Sequence, residues 1–500
     1  MKIILVTTDN HTLGIQTISN IIYKKTGILP VMFYLPLNLL IYPPRIKTKI
    51  LEYIIEEIDS VEETVLIGFQ LKELSLKRSI QLARDLKQHR GNKIKLVAGG
   101  TYATFSPQTL LDTFDYVVVG SGSGILLVVD AVSRGDDIYP IVQATPSDYE
   151  YPLFTDSWIL DSSGEIIKGR LRRLVHSQYR NTNALEFMTG IGCSYSCSYC
   201  EISSLRVLFG NKYKVSYSDP KKVAEMICNE KTLNPNINYI YFFDEDYLLK
   251  PISWIETFAH LYKMSIDIPF FIFATPISIL KYPDKLDILS EAGLDTVNMG
   301  VQSGSEYITK RLLGRRENKD DVRKCVQVLT DLYLDGSTSS PPMLDFIILN
   351  PYETPNNLLE TIDLIQSLPT PFNAIMHCMS FFRGTQLFGK AKCDGVISQD
   401  YELRYDLRDF MSRVVRNTLG LNYSMERPLQ WLFLNTLMFG MNGMHQNVNG
   451  VRYLGSLASN RLNELKRLVN VLSYNDIISL AESFPNPINE AQIPWERTYQ

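Results

Sequence analysis

The first 130 residues alternate two hydrophobic patterns. Short continuous apolar runs, KIILVTT, ILPVMFYL, TVLIGFQ, KLVAGG and DYVVVG, end in small or polar residues, as parallel strands buried on both faces do. Between them, IQTISNIIYKKTG and KRSIQLARDLKQH carry the spacing of helices with one buried face. Five strands with intervening helices predict a doubly wound, Rossmann-like parallel sheet with its ligand at the carboxyl ends of the strands. The pattern then lapses. ATPSDYEYPLFTDS is rich in Pro, Asp and Ser, and KGRLRRLVHSQYR is basic, so residues 141–182 read as a linker. A second series begins near residue 184 with six strand-like runs, ALEFMTGIG, NYIYFFDED, FFIFATP, TVNMGVQSG, LDFIILNP and AIMHCMSFF, separated by helical stretches such as DPKKVAEMICNE and KLDILSEAGL. Six parallel strands with outer helices predict a partial (β/α)6 barrel of TIM type, with its chemistry at the C-terminal strand ends. From about residue 400 the pattern is helical, with a polar tail. The expected division is a first domain over 1–140, the linker, the barrel over 183–400 and a helical region over 401–500.

Composition narrows the class. A chain of 500 residues exceeds what one core supports. The formal charge of −4 comes from well-mixed acids and bases. There is no basic block for nucleic acid and no acidic tail. Seven cysteines, an odd number in a long chain, do not make a disulfide scaffold and suit a reducing cytoplasm. The opening MKIILVTTDN is too short in apolar residues for a signal peptide. ILPVMFYLPLNLLIYPP is broken by prolines, and PLQWLFLNTLMFGMNGM falls short of the roughly 20 residues of a membrane span. Both read as buried or substrate-facing, and no transmembrane segment is expected.

Three of the cysteines crowd into GCSYSCSYC, directly after the first barrel strand. Cys193, Cys197 and Cys200 are spaced C-x3-C-x2-C. Zinc favours four ligands, usually as two pairs, and no second C-x2-C exists. Cys228, Cys325, Cys378 and Cys393 are scattered. A four-iron cluster held by three thiolates leaves one iron open to a substrate or cofactor. Structural cysteines are the remaining reading. With Tyr199 in the aromatic slot before the last cysteine, this loop resembles that of the radical S-adenosylmethionine (SAM) superfamily. FFDEDYLL resembles the family's second-strand motif, GVQSGSEYITKRLLGRR its GIESG stretch, LDFIILNPYETPNNLLETIDLI its GxPGET stretch, and FFRGTQLFGKAKCDGVI its YPGTxLY stretch. Any one alone would also suit a polar cap starting a helix after a strand. All four, in order behind the cysteines, favour the family. The resemblance implies a 4Fe-4S cluster on the three cysteines and SAM chelated at the open iron. Asp244 would hold the methionine amino group, and Tyr199, Gln302, Ser303 and Asn350 would help bind SAM. It also implies reductive cleavage to a 5′-deoxyadenosyl radical, driven by an external flavodoxin- or ferredoxin-type donor, and a small-molecule substrate.

The first domain resembles that of the cobalamin-binding subset. VAGGTYATFSPQTLL and FDYVVVGSGSG match GGxHATxxPEE and DxVxxGEGE, with Ser123 where the pattern has glutamate. Gly99, Gly100, Gly120 and Gly122 would let strand ends approach the cofactor's tail, since glycine has no side chain to clash. DNHTLG fits D-x-H-x-x-G, with Asp9, His11 and Gly14. In that pattern the histidine ligates cobalt and the aspartate orients it. The plainer reading makes Asp9 a helix cap and His11 a polar loop residue. Cys378, beside His377, reads as core, RRENK at 315–319 as a solvated loop, and RLNELKRLVNVL as an amphipathic surface helix. The resemblance thus implies cobalamin between the first two domains and methylation of an unactivated carbon of a small-molecule or lipid-like intermediate. A radical cyclase or rearrangement enzyme of the same architecture, or a corrinoid- or metal-binding protein without radical catalysis, are the other readings.

Overall fold

The structure is a computed structural model. It describes residues 1–397 apart from 9–12, 36–43, 74, 146–149, 161–163, 171–172, 178–179, 211–212, 214, 349 and 351. Asp9, His11 and the expected helical region 401–500 lie outside the described residues.

The first sheet contains β1 (Lys2–Thr7), β2 (Val31–Tyr34), β3 (Val65–Gln70), β4 (Ile94–Gly99), β5 (Tyr116–Gly120) and β6 (Ile141–Ala144), all parallel in the order 6-5-4-3-1-2. The chain leaves β1 for β2 on one side, then crosses to β3 on the other. The β1/β3 boundary is therefore the topological switch point, where ligands bind outside the carboxyl ends of the strands. In β1, Ile4 and Val6 join one apolar cluster while Ile3 and Leu5 join another. Both faces are covered, as the continuous apolar run requires.

The stretch expected as a linker is largely strand. Besides β6, β7 (Asp156–Leu160) pairs parallel with β2, and β8 (Ile166–Arg170) closes that edge antiparallel to β7. Trp158 anchors β7. Its ring lies 6.2 Å from Phe33 and 5.1 Å from Tyr53, and its Nε1 donates to Glu57 at 2.8 Å. These strands lie at or near the sheet's edges, where partial exposure accommodates polar residues and erases the apolar run.

β9 (Arg173–Ser177) forms a hairpin with β10 (Arg180–Phe187), the first strand of the barrel. A short antiparallel pair, β11 (Gly190–Ile191) and β12 (Ser216–Tyr217), brackets the cysteine loop. Then β13 (Tyr239–Phe242), β14 (Phe270–Ala274), β15 (Leu294–Gln302), β16 (Met343–Ile348) and β17 (Asn373–Cys378) follow β10 in parallel, each beside its predecessor. This is the expected six-stranded parallel barrel, left open between β17 and the β9 edge. Ile240, Phe242, Ile272, Leu344 and Phe346 pack outward into the core with the helices. Tyr239, Tyr241, Phe271 and Phe273 occupy the opposite, inner face. Among the described residues, no helix is long and apolar enough to cross a membrane.

Candidate functional site

The cysteine loop follows β11 and is held from three directions. The Ser198 N–H donates to the Leu313 carbonyl at 3.0 Å and its hydroxyl to the Leu312 carbonyl, while the Ser198 carbonyl accepts from Leu387 N–H at 2.9 Å. Arg206, on the helix Glu201–Phe209, donates to the Cys193 and Ser194 carbonyls and to Ser196 Oγ. Ser203 donates to the carbonyls of Cys197 (2.6 Å) and Cys200 (3.0 Å). Gly192 (φ +91°) turns the chain into the loop, a conformation that costs glycine least. The backbone is thus fixed while the three thiols remain partly exposed.

Burial pushes the Cys193 thiol up to about 11 and that of Cys200 up to about 12, and it raises Cys197 as well. Thiolates here therefore require a cation to compensate them. Three thiols on one fixed loop suit a multi-iron cluster, in which each thiolate serves its own iron.

The acids after β13 divide their work in a way the sequence did not reveal. Asp244 is buried and accepts from Thr189 N–H (3.0 Å), Thr189 Oγ1 (2.7 Å) and Lys250 Nζ (2.8 Å). It ties the start of the cysteine loop to the barrel. Asp246 caps the turn at 247–249 and accepts from the Thr275 hydroxyl at 2.7 Å. Glu245 is the acid of the three that reaches open space. Desolvation by the surrounding protein above all pushes its carboxyl up to about 7; the charge of Glu245 in turn bears on Cys193 and Cys200.

Gln302 ends β15 with φ +70°, a strained left-handed conformation for a residue with a side chain. It sits beside a register shift between Gly300 and Gln302. Ser303 is buried and donates to Glu353 Oε1 at 3.3 Å, and its hydroxyl lies 3.1 Å from that of Thr361. Gly304 N–H donates to Thr361 Oγ1 at 2.9 Å, and a Cβ on Gly304 would stand 2.4 Å from Thr361 Cα. Asn350 closes a turn, its Oδ1 accepting from Tyr352 N–H (3.1 Å) and its carbonyl from Glu353 N–H (3.0 Å). Thr354 forms a capping box with Asn357 on the helix Pro355–Ser367. The GVQSGS and NPYET stretches are thus each other's packing partners.

RRENK is not a solvated loop. Arg315 and Glu317 form a buried ion pair, and Arg315 also donates to the Gly300 carbonyl (2.7 Å) and to the Tyr199 hydroxyl (3.3 Å). Burial opposes the Arg315 charge, but Tyr199, Glu317 and Cys197 more than offset it. A cavity of about 190 Å³, lined by Tyr195, Cys197, Thr275, Arg315, Arg316 and Glu317, opens beside the loop. The sequence signal was Gly314 (φ +69°), which allows the chain to pass within van der Waals reach of Ser196 and Ser198.

The first domain's strand ends face this region. Glu73, after β3, pairs with Arg383, after β17, at 3.2 Å. The Arg383 guanidinium lies 5.5 Å from the Tyr102 ring, and Gly384 presses on Phe105. The four strand-end glycines differ in kind. Gly100 (φ +100°) and Gly120 (φ +90°) are required by backbone conformation and by contact with Leu71 and Ala144, and Gly122 by contact with Ile18. These three meet protein where room for a cofactor was expected. A Cβ on Gly99 would meet nothing within 4 Å. Nearby, Gln70 Oε1 at the switch point and Thr101 Oγ1 are buried without hydrogen-bond partners among the described residues, which a polar ligand would satisfy. Gly14 packs on Gln70, where a Cβ would stand 3.2 Å from Nε2. In the departure at Ser123, its N–H donates to Ser121 Oγ at 3.3 Å, beginning the turn after β5.

Residues 188–365 match the radical SAM superfamily. The barrel of this chain belongs to that superfamily. No curated protein sequence matches the chain significantly. Among solved structures, the radical SAM methyltransferase TsrM from Kitasatospora setae, with cobalamin and [4Fe-4S] cluster bound, aligns with a TM-score of 0.53 at 16% identity, covering 80% of this chain and 76% of its own. The cobalamin-dependent SAM radical enzyme OxsB, with aqua-cobalamin bound, aligns with a TM-score of 0.57 at 12% identity, covering 99% of this chain and 82% of its own. At such identities the likeness is one of fold, and it includes the N-terminal sheet as well as the barrel. The chain thus has the two-sheet architecture of those cobalamin-bound structures.

Proposed function

We propose that this radical SAM protein is a cobalamin-dependent methyltransferase acting on an unactivated carbon of a small-molecule or lipid-like intermediate. The observation that carries this reading is the apposition of two sets of strand ends. On one side lie the open edge at Gly99 and Gln70 Oε1 and Thr101 Oγ1, which have no hydrogen-bond partner among the described residues. On the other lies the fixed loop of Cys193, Cys197 and Cys200. When bound, a cluster with SAM supplies hydrogen abstraction and cobalamin supplies a methyl group, so the protein's part is placement and exclusion of water. The cysteines would hold the cluster. Glu245, exposed where its neighbour Asp244 is buried against Thr189 and Lys250, is the acid placed to accept from the SAM amino group. Gln302, on the strained strand end, and Tyr199, held by Arg315, would flank SAM. Gly99, Gln70 and Thr101 would take the corrin's polar periphery. A flavodoxin- or ferredoxin-type protein would deliver the electron.

The test is anaerobic incubation of the reconstituted protein with SAM bearing a deuterated methyl group, a strong reductant and candidate substrates. The expected result is labelled methyl in the product with 5′-deoxyadenosine and S-adenosylhomocysteine in equal amount. An unlabelled product accompanied by 5′-deoxyadenosine would point to a cyclase or rearrangement. No SAM cleavage under any reductant would leave only a binding role.

A further inference from the structure

His377, beside Cys378 on β17, has a side chain that is 55% exposed. Alternation along β17 explains this. Ala374 faces the outer core, so His377, three residues on, faces the lumen. On the neighbouring strand, Leu344 and Phe346 are likewise outward and Asp345 inward. The two inward groups meet, with His377 Nε2 lying 3.3 Å from Asp345 Oδ1. Asn298, on β15, donates from Nδ2 to the same oxygen at 3.3 Å. Its own Oδ1 is buried without a hydrogen-bond partner among the described residues. The wall across the lumen, on β13 and β14, is aromatic. Tyr241 stacks on Phe271 with ring centroids 4.0 Å apart, and Phe273 lies 4.9 Å from Phe271.

We propose that His377 anchors the substrate in the barrel lumen, donating from its second ring nitrogen to an oxyanion, a carboxylate or a phosphate, while the substrate's apolar part lies toward the aromatic wall. This deepens the proposed function and rests on the barrel being the reaction chamber. The geometry supplies the donor. Asp345 occupies Nε2, which orients the ring and leaves Nδ1 for a ligand. Burial disfavours the imidazolium, but the hydrogen bond to Asp345 outweighs it and holds the imidazole above its ordinary pKa. The ring therefore takes up its second proton, which makes both nitrogens donors, more readily than a free imidazole does. The vacant Asn298 Oδ1 adds an acceptor, so a head group offering an N–H or O–H beside its oxyanion is matched best.

The experiment uses the reconstituted full-length holoenzyme and three probes, 3-phenylpropanoate, phenyl phosphate and uncharged 3-phenylpropanol, with binding followed calorimetrically. At least one anion should bind about tenfold more tightly than the alcohol, as a charge-assisted hydrogen bond allows. The preference should collapse in both His377→Ala and the closer-shaped His377→Gln, with circular dichroism confirming their fold. Which anion binds distinguishes a carboxylate from a phosphate substrate. Equal or absent binding of all three probes to native enzyme, or an anion preference that survives both substitutions, overturns the proposal. Native enzyme that fails to cleave SAM overturns the functional reading instead, a separate measurement on the same preparation.

Discussion

Lys250 is fully buried and hydrogen-bonds Asp244 at 2.8 Å, with its Nζ 3.7 Å from the Tyr247 ring centroid and 5.3 Å from that of Trp254. Lys250→Met keeps most of the apolar stem and removes the charge, so the loss is chiefly electrostatic. Breaking one side of a buried ion pair costs about 3–5 kcal/mol, because the other charge remains buried and unpaired. Asp244 would keep the N–H and hydroxyl of Thr189, which partly solvate it. The expected cost therefore lies near the lower end, about 3 kcal/mol. Adding Asp244→Asn removes the stranded charge, so the double variant should lose less than half as much as the single. The two residues form one unit, and their effects are not additive. Urea unfolding followed by tryptophan fluorescence measures this, with Trp254 as a local reporter. Because Asp244 holds Thr189 ahead of the cysteine loop, Lys250→Met should also retain less iron. A single-variant cost below about 1 kcal/mol, or a double variant that loses the sum of both single losses, would refute the reasoning.

Cys193→Ala, Cys197→Ala and Cys200→Ala should each abolish retention of the about four irons of a cubane, whereas Cys228→Ala should not, as metal analysis of reconstituted protein would show. Gly100→Ala forces a Cβ to 2.5 Å from the Leu71 carbonyl at φ +100° and should destabilise by about 2 kcal/mol or more. Gly99→Ala meets no atom and should stay within about 0.5 kcal/mol of native in stability yet weaken cobalamin binding, read by absorbance titration. Burial pushes Glu353 up to about 8 from 4.5, with Ser303 only partly opposing it. The folded state therefore binds a proton that the unfolded state has released between those values. Its contribution is fully present below about pH 4.5 and is lost as pH rises through about 8, on the order of 4 kcal/mol. Glu353→Gln should flatten this slope and unfold later than native at pH 8.5; an unchanged slope would contradict the assignment.

What the sequence determined by itself was local. C-x3-C-x2-C places three thiols on one loop whatever the rest of the chain does, and the strand runs name both parallel sheets because burial on two faces leaves its mark in consecutive residues. The edge strands β7 and β8 were not readable in this way, because half-exposed strands carry no apolar run. Tertiary structure alone decided which of three consecutive acids stays exposed, since Asp244 is claimed by Thr189 and Lys250 and Asp246 by Thr275. It alone joined Arg315 to Tyr199, Glu73 to Arg383 and His377 to Asp345. The first two of these pairs span more than a hundred residues of chain, and the last joins neighbouring strands across an intervening helix. Such contacts depend on strand order and on the inward or outward phase of each strand, and one residue of register reverses that phase.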